Sequence, residues 1–359
     1  MLKRLSIICL FLLAALTVSA QKDNIARRAY KYIKHFLDSS VIKTVDSNYI
    51  VVPKRPWQLI ARYNNDQMVL KMHTVYEDSE GYVDMSPRLN TGRASSMGLW
   101  LGYRGYGLGY SIGLSKRTGD YFTFGAVGGN FGVNLRLRTF SVGESETDIF
   151  YREGGDVVMN GRYDLELPEA IRVRALSIDG YYMFNNKRFS YASAYDMSTI
   201  QVRSAGSLMV GLMWNAVSVR FNTNRNAGLV ELMRKVGTFK IRQGSIGVGY
   251  AYNWVPARGL LVNVMMVPMV TLYNKQVLKR YDTEISESSV DDDLIHFMEE
   301  QTHWSRPAMT LNGRASITYN WDRYFFNVHG QWNSHNYNYG DGDGRINEWF
   351  VNTSLGYRF

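Results

Sequence analysis

Arginine and histidine side chains recur on the polar side of segments whose residues alternate between apolar and small or polar types. Six of them are expected to share one environment: Arg136, Arg138, Arg220, Arg314, His329 and Arg358. Successive side chains on a strand point to opposite faces, so each of these side chains is placed opposite its apolar neighbours. If the polar face lines the lumen of a barrel, they predict a weakly anion-preferring pore. The alternative is a closed barrel in which the arginines pair with carboxylates and with the N-terminal segment.

The sequence offers little support for enzymatic chemistry. The histidines show no close metal-ligand spacing, no Gly-x-Ser-x-Gly surrounds a serine, and no helix follows the alternating glycines to form a phosphate loop. An outer-membrane lipid-modifying enzyme would need a serine near a histidine such as His329, facing lipid. We therefore expect that the protein is not an enzyme and uses no cofactor.

Two acidic segments could attract cations. Asp341 and Asp343 resemble part of a calcium loop, but with Gly344 at the sixth position two of the ligand positions fall on Tyr339 and Phe350. An Asp-Gly turn explains this pattern better, so no metal site is predicted. Segment 282–300 holds eight carboxylates and neither Lys nor Arg. We interpret it as a solvated outer loop, with a role in collecting divalent cations at lipopolysaccharide as the alternative.

The composition excludes several classes of protein. The chain has 359 residues, 41 Lys and Arg against 32 Asp and Glu, 14% aromatics and one cysteine. It lacks the repeated long apolar runs of a helical membrane protein, and its aromatic content is too high for a disordered chain. One cysteine cannot form an internal disulfide.

The N-terminus carries an export signature. A basic start at Lys3 and Arg4, a short apolar core and Val-Ser-Ala at 18–20 predict a secretory signal peptide over 1–20, cleaved after Ala20. A net charge of +9 could indicate nucleic-acid binding, but an exported protein does not meet nucleic acid in the cytoplasm. No nucleic-acid partner is therefore expected. Residues 21–56 are predicted to form a short basic amphipathic helix and an extended connector in the periplasm.

From residue 57 onward the dominant period is two. Residues 106–115, 245–254 and 309–321 each place apolar or aromatic side chains on one face and Gly, Ser, Asn or Arg on the other. Strands of about 9–14 residues with aromatics at their ends match a tilted bilayer crossing. The last strand ends with Tyr357 and Phe359 on its apolar face, which is typical of the signal that the outer-membrane assembly machinery binds.

These patterns predict an all-β fold, a transmembrane antiparallel up-and-down β-barrel over 57–359. The count is about 14 strands, with 12 as the alternative if 57–74 or 188–196 is not a barrel strand. Segment 188–196 is taken as a strand, and 203–214 and 216–223 as two strands joined at Trp214 and Asn215. Tight turns alternate with longer connections, as the periplasmic and outer ends of such barrels require.

One stretch carries a family resemblance. Residues 181–195 (Tyr-Tyr-Met-Phe-Asn-Asn-Lys-Arg-Phe-Ser-Tyr-Ala-Ser-Ala-Tyr) followed by Gln-Val-Arg-Ser-Ala-Gly-Ser at 201–207 resemble a family of Bacteroidota outer-membrane proteins catalogued as a domain of unknown function (four-four-two-one). Where charged residues usually flank the Gln of that pattern, this chain has Thr199, Ile200 and Val202. The resemblance implies a barrel in the outer membrane and no established activity.

Two functions from different classes follow from these expectations. The first is a passive channel or small-solute binding barrel, and the second is a non-conducting structural or adhesion barrel that acts through its extracellular loops. The expected partners are outer-membrane lipids, lipopolysaccharide and the barrel assembly machinery.

Overall fold

The computed structural model describes residues 31–32, 35, 45–77, 81–115, 118–153, 155–221, 230, 235–281, 297–339 and 342–359. Over these ranges the chain is almost entirely β-strand. The strands are β1 (Ile50–Val51), β2 (Trp57–Glu77), β3 (Gly81–Asn90), β4 (Ala94–Tyr103), β5 (Tyr106–Gly113), β6 (Thr118–Val127), β7 (Phe131–Glu153), β8 (Asp156–Met183), β9 (Ile200–Gln201), β10 (Ala205–Arg220), β11 (Val236–Ala257), β12 (Leu260–Tyr281), β13 (Phe297–Trp304), β14 (Ala308–Trp321), β15 (Tyr324–Tyr339) and β16 (Gly342–Arg358). A five-residue helix, α1 (Tyr191–Tyr195), lies between β8 and β9.

Among the described residues, fourteen strands form one antiparallel sheet, and twelve of them close into a ring. Around the ring the order is β2, β4, β5, β6, β7, β8, β10, β11, β12, β14, β15 and β16, and β16 returns to β2. The last residue closes the barrel, because the Phe359 N–H donates to the carbonyl of Trp57 at 3.0 Å. The fold is therefore the predicted up-and-down barrel, and β3 and β13 are the two strands of the sheet outside the ring.

We call the end of the barrel that carries both Trp57 and Phe359 the terminal end, and the opposite end the far end. The turns at 104–105, 128–130, 258–259 and 322–323 all lie at the terminal end. The first is a tight hairpin turn in which Arg104 and Gly105 both have positive φ, 51° and 90°. Two consecutive residues with positive φ are typical of the type I′ turns that fit the twist of paired strands.

The barrel has fewer strands at its far end. Strands β3 and β4 both pair with β2 and run in the same direction, so they are one strand interrupted at 91–93. Beyond that interruption β3 pairs directly with β7, and the short hairpin of β5 and β6 lies only in the terminal half. Long strands such as β7 and β8 continue past this hairpin and form the far-end extension.

The exterior of the terminal half is apolar and ends in aromatic side chains. Leu208, Leu212, Ile246 and Val248 are exposed on the outside of β10 and β11. A set of exposed aromatics follows at the terminal end: Trp57, Tyr252, Trp254, Tyr319, Trp321, Tyr324 and Phe359, with Tyr357 half-buried beside them. An apolar band that ends in aromatic residues is what lipid contact requires of a transmembrane barrel.

Two strand predictions are wrong. Residues 188–196 form a loop and α1, and residues 205–220 form one continuous strand, with no turn at Trp214 and Asn215. In 188–196 the aromatic and small residues alternate as they would on a strand, but residues 189–196 are all buried and have no exposed face. The two errors together remove two ring strands, so the strand number stays even, as barrels of this type require.

The predicted N-terminal units are only partly described. Lys31, Tyr32 and His35 are helical, whereas the signal-peptide prediction over 1–20 and the remainder of the helix lie outside the described residues. The connector forms a turn at Asp46 and then β1, which pairs with β9 in a separate two-stranded sheet. Over the part of the chain described above, no helix is long and apolar enough to cross a membrane.

Candidate functional site: the barrel lumen and its plug

The connection between β8 and β10, residues 184–204, folds into the lumen at the terminal end, and we call it the plug. All five residues of α1 are buried, and Ser190 caps the helix by accepting a hydrogen bond from the Ser193 N–H at 3.2 Å. The plug contains most of the stretch that carries the family resemblance. Its conspicuous aromatic and small residues are therefore those of a buried insert.

Gln201 fastens the plug to itself and to the barrel wall. Its side-chain amide donates to the carbonyls of Arg188 (2.5 Å) and Arg203 (2.9 Å). Its side-chain oxygen accepts from the Ser190 N–H at 2.9 Å and from the Asn253 amide at 3.0 Å. Because a buried amide is costly to leave unpaired, these four hydrogen bonds hold the Gln201 side chain and the adjoining plug backbone in one position.

Above the plug, a buried cluster centres on the carboxylate of Asp179, which is fully buried. Arg136 and Arg314 donate to this carboxylate at 2.8 and 2.5 Å, and Asn134 donates at 3.0 Å. Tyr191 of the plug joins the cluster, since its hydroxyl accepts from Arg314 and from Asn134. The cluster therefore binds the plug to strands from both sides of the barrel.

A second buried cluster complements the charge of the first. Arg138 donates to Glu348 at 2.6 Å and to Asp66 at 3.4 Å. The first cluster has two cations and one anion, and the second has one cation and two anions. Together they are neutral, and each charge has an opposite partner, as buried charges require.

Two further predicted residues face inward and contact the plug. Arg358 donates to the carbonyl of Met197 at 2.8 Å and to the Asn320 side chain at 2.6 Å. His329 lies between the rings of Tyr195 and Phe350, with centroid distances of 5.9 and 5.7 Å, and shares a hydrogen bond with Asn327.

A cavity of about 60 Å³ remains between the plug and the buried charges. Its lining includes Arg62, Trp100, Asp196 and His329. The Trp100 indole fills much of the space around it, because a Cβ at Gly107 would lie 2.6 Å from that ring. Arg62 stacks on the same ring with its guanidinium 4.0 Å from the centroid. A cavity of this size has room for a few water molecules.

The far half of the lumen is filled by an apolar layer. Inward-facing side chains from around the ring form one contiguous cluster: Met68, Leu70, Met72, Leu89, Ala94, Phe140, Val142, Ile171, Val173, Ala175, Val217, Val219, Phe221, Val230, Val236, Phe239, Ile241, Leu278, Tyr281, Tyr337 and Ile346. Each is at most 6% exposed. A water-filled channel would leave such side chains accessible, so this layer closes the far half of the lumen.

Arg220 does not belong to this site. It lies on the exterior of β10 and is exposed, whereas Arg136, Arg138, Arg314, His329 and Arg358 face the lumen. The sense of the alternation reverses along the barrel: in the far half the apolar residues face inward and the polar residues face outward. The polar face of β10 at Ser218 and Arg220 is therefore its outer face.

The candidate cation ligands are not together in a site. Asp341 lies outside the described residues, and Asp343 is on the exterior of β16, 2.9 Å from the Nδ1 of His73. No group of three His, Cys, Asp or Glu side chains suited to a metal is present in the described ranges. Of the acidic segment 282–300, the side chain of Glu300 is described, and it pairs with Lys279 at 3.0 Å.

At the C-terminus the rings of Tyr357 and Phe359 stack on the exterior, with centroids 6.2 Å apart.

A closed antiparallel ring with an apolar exterior band, an aromatic edge and polar side chains in the lumen beneath that band defines an outer-membrane β-barrel. Residues 44–359 match the family described as "Domain of unknown function (DUF4421)". The chain belongs to this family. No curated protein matches it.

Solved structures with a similar chain trace are outer-membrane barrels of several kinds. The outer membrane protease OmpT from Escherichia coli is 11% identical, with a TM-score of 0.43, over 85% of this chain and 97% of that one. The COG4313 outer membrane channel from Pseudomonas putida F1 is 10% identical, with a TM-score of 0.29, over 88% of this chain and all of that one. The toluene transporter TodX from P. putida is 8% identical, with a TM-score of 0.25, over 86% and 91%.

Proposed function

We propose that the protein is a closed, non-conducting barrel of the outer membrane that acts through its outward-facing surfaces and its far-end loops. The observation that carries this proposal is the double closure of the lumen by the plug at the terminal end and by the apolar layer in the far half. Strand ends that continue beyond the lipid-facing band would then present the far-end loops outside the cell.

The pairing of the lumen charges supports this proposal. Arg136, Arg138 and Arg314 are each engaged by a buried carboxylate at 2.5–3.4 Å. An arginine that selects a passing anion must be able to exchange its partner with the ion, and binding must be weak enough to permit release. Guanidinium groups held in buried ion pairs serve structure, because their charges are already compensated by carboxylates of the barrel wall.

We also propose that the protein is located in the outer membrane and has no enzymatic activity. The chain would be exported by its signal peptide and assembled through the C-terminal strand that ends with Tyr357 and Phe359. The terminal end, with its short turns, would face the periplasm, and the far end would face the outside. His329 faces the cavity inside the barrel and not lipid, which favours a protein without enzymatic activity.

Planar-bilayer recording tests the closed lumen. Purified protein that shows a heat-dependent gel shift, and is therefore folded, is expected to produce no unitary current steps. A variant that lacks residues 186–199 and also carries F140A, F239A and Y337A removes both closures and is expected to conduct. Discrete current steps from the unmodified protein would overturn the proposal.

A small-solute binding barrel or passive channel is the second candidate, and the internal cavity favours it. Arg62 and His329 both line this cavity, which could hold a small solute if the plug moved. The same recordings decide between the candidates, because an anion-selective current from the unmodified protein would support the channel.

A further inference from the structure

A group of five cationic side chains lies on the exterior of three consecutive ring strands. They are Arg172 and Arg174 on β8, Arg220 on β10, and Lys240 and Arg242 on β11. We call these five residues the basic patch. None of the lumen contacts described above involves them, because their side chains point away from the lumen.

The register of the strands concentrates this positive charge. Arg172 and Arg220 are direct cross-strand partners, and Arg174 and Lys240 are both partners of Ser218 from opposite sides. Like charges opposite one another on a sheet destabilise it. Within the described ranges no carboxylate forms an ion pair with any of the five. The five cations therefore keep a net positive charge on this part of the exterior, which an anionic molecule can neutralise.

The patch begins where the lipid-facing band ends. On the exterior of β11, the band runs from Trp254 to Gly244, which is the cross-strand partner of Trp214. Ten residues at 3.4 Å, on a strand tilted by about 40°, rise about 26 Å along the barrel axis, close to the height of the apolar band of such barrels. The next outward residue is Arg242, which places the patch at the level of the lipid headgroups.

A groove of about 470 Å³ runs through the patch on the barrel exterior. Its charged lining consists of three cations, Arg174, Lys240 and Arg242, and one exposed carboxylate, Asp120, so the groove has a net positive charge. The small residues Ala216 and Ser218 form its floor. On the side of the apolar band, Leu137 and Leu176 form an apolar wall. Cations above and apolar side chains below suit an amphiphile with an anionic head.

We propose that this groove binds a phosphorylated glycolipid of the lipopolysaccharide type from the surrounding leaflet. Its phosphates would be held by Arg174, Lys240 and Arg242, and an acyl chain would lie against Leu137 and Leu176. Guanidinium groups present planar pairs of donors that match phosphate oxygens, and such bonds are charge-assisted. A headgroup with two phosphates matches a patch three strands wide better than a phospholipid with one.

This inference rests on the outward orientation of the far end in the proposed function, since that orientation places the patch in the outer leaflet. The site itself can be measured in detergent, where orientation and conductance play no part. Failure of lipid binding and failure of the closed-lumen proposal are therefore separate results.

Native mass spectrometry of the folded protein in detergent, titrated with bisphosphorylated lipid A, tests the site. The variant R174Q/K240Q/R242Q is expected to bind this lipid about tenfold more weakly than the unmodified protein. The matched control K71Q/R88Q/R345Q removes three cations from the exterior of β2, β3 and β16 and is expected to bind within about twofold of the unmodified protein. Each variant is first checked for the heat-dependent gel shift of a closed barrel.

Two further probes identify the recognised group. Lipid A from which the phosphates have been removed is expected to bind about tenfold more weakly, and phosphatidylglycerol is expected to compete poorly. Equal binding of dephosphorylated lipid A, equal binding of phosphatidylglycerol, or equal losses in both triple variants would each overturn the proposal.

Discussion

Asp179 is the residue on which the charge balance of the lumen depends most directly. It is fully buried, it accepts hydrogen bonds from two arginines and an asparagine, and those arginines come from β7 and β14. In a low-dielectric interior a guanidinium without its counter-charge is far more costly than one in water. The carboxylate is therefore a structural requirement of the polar lumen.

We predict that D179N destabilises the folded barrel by about 3–5 kcal/mol, because it leaves two buried guanidinium groups without a full negative charge. The urea midpoint of unfolding in detergent micelles measures this effect. The matched control is D148N, which breaks a solvent-exposed pair with Arg162 at 2.8 Å and should change the midpoint little. If D179N unfolded at the same urea concentration as D148N, the Asp179 cluster would not have the role assigned to it.

The alternation in the sequence predicts most, but not all, of the charged residues that face the lumen. Period-two alternation places Arg136, Arg138, Arg314 and Arg358 on one face of their strands, and these four face the lumen. The same rule misplaces Arg220, because the lumen of the far half is apolar and the exterior there is polar. Alternation identifies which residues share a face, but the surroundings of the strand decide whether that face points inward.

At the scale of elements, the plug determines whether the terminal half of the lumen is open or closed. Its residues could not be recognised as an insert from the sequence, since Tyr, Ala and Ser at 191–195 alternate in size as a barrel strand would. The contacts that reveal the plug are distant in sequence, such as the donation from Arg314 to the Tyr191 hydroxyl. By contrast, local turn chemistry at 104–105 and 322–323 could be predicted because a few neighbouring residues determine it.

We predict that G132A loosens the plug. A Cβ at Gly132 would lie 2.6 Å from the ring of Tyr191, so this ring must move away from the β7 wall and weaken its hydrogen bonds with Asn134 and Arg314. Limited proteolysis of the folded protein in detergent should then cleave within 184–204 at least about tenfold faster. The control G313A adds the same methyl group where no atom lies within 4 Å, and its cleavage rate should match that of the unmodified protein. Equal rates for the two variants would contradict the close packing of Tyr191.

At the scale of the whole molecule, the two ends of the barrel differ in construction. The terminal end has four tight turns, the plug and the aromatic edge, whereas the far end has strands that extend well beyond the lipid-facing band. The number of ring strands followed from sequence only to within two, because strand number depends on pairings between segments and not on any segment alone. The proposed orientation in the membrane rests on this asymmetry, since short turns face the periplasm in barrels of this type.

Cysteine labelling tests that orientation directly. The chain has one cysteine, Cys9, within the predicted signal peptide, so the exported protein should not react with a maleimide. D156C lies at the first residue of β8, next to the far-end turn between β7 and β8. D322C lies in the terminal-end turn between β14 and β15, where the Asp322 side chain is 78% exposed. A membrane-impermeant maleimide should label D156C on intact cells and D322C only after the outer membrane has been permeabilised. Because both positions are exposed, a difference in labelling reports the side of the membrane and not the burial of the site. The reverse pattern would place the far end in the periplasm, and the basic patch would then face the inner leaflet, where no lipopolysaccharide could reach it.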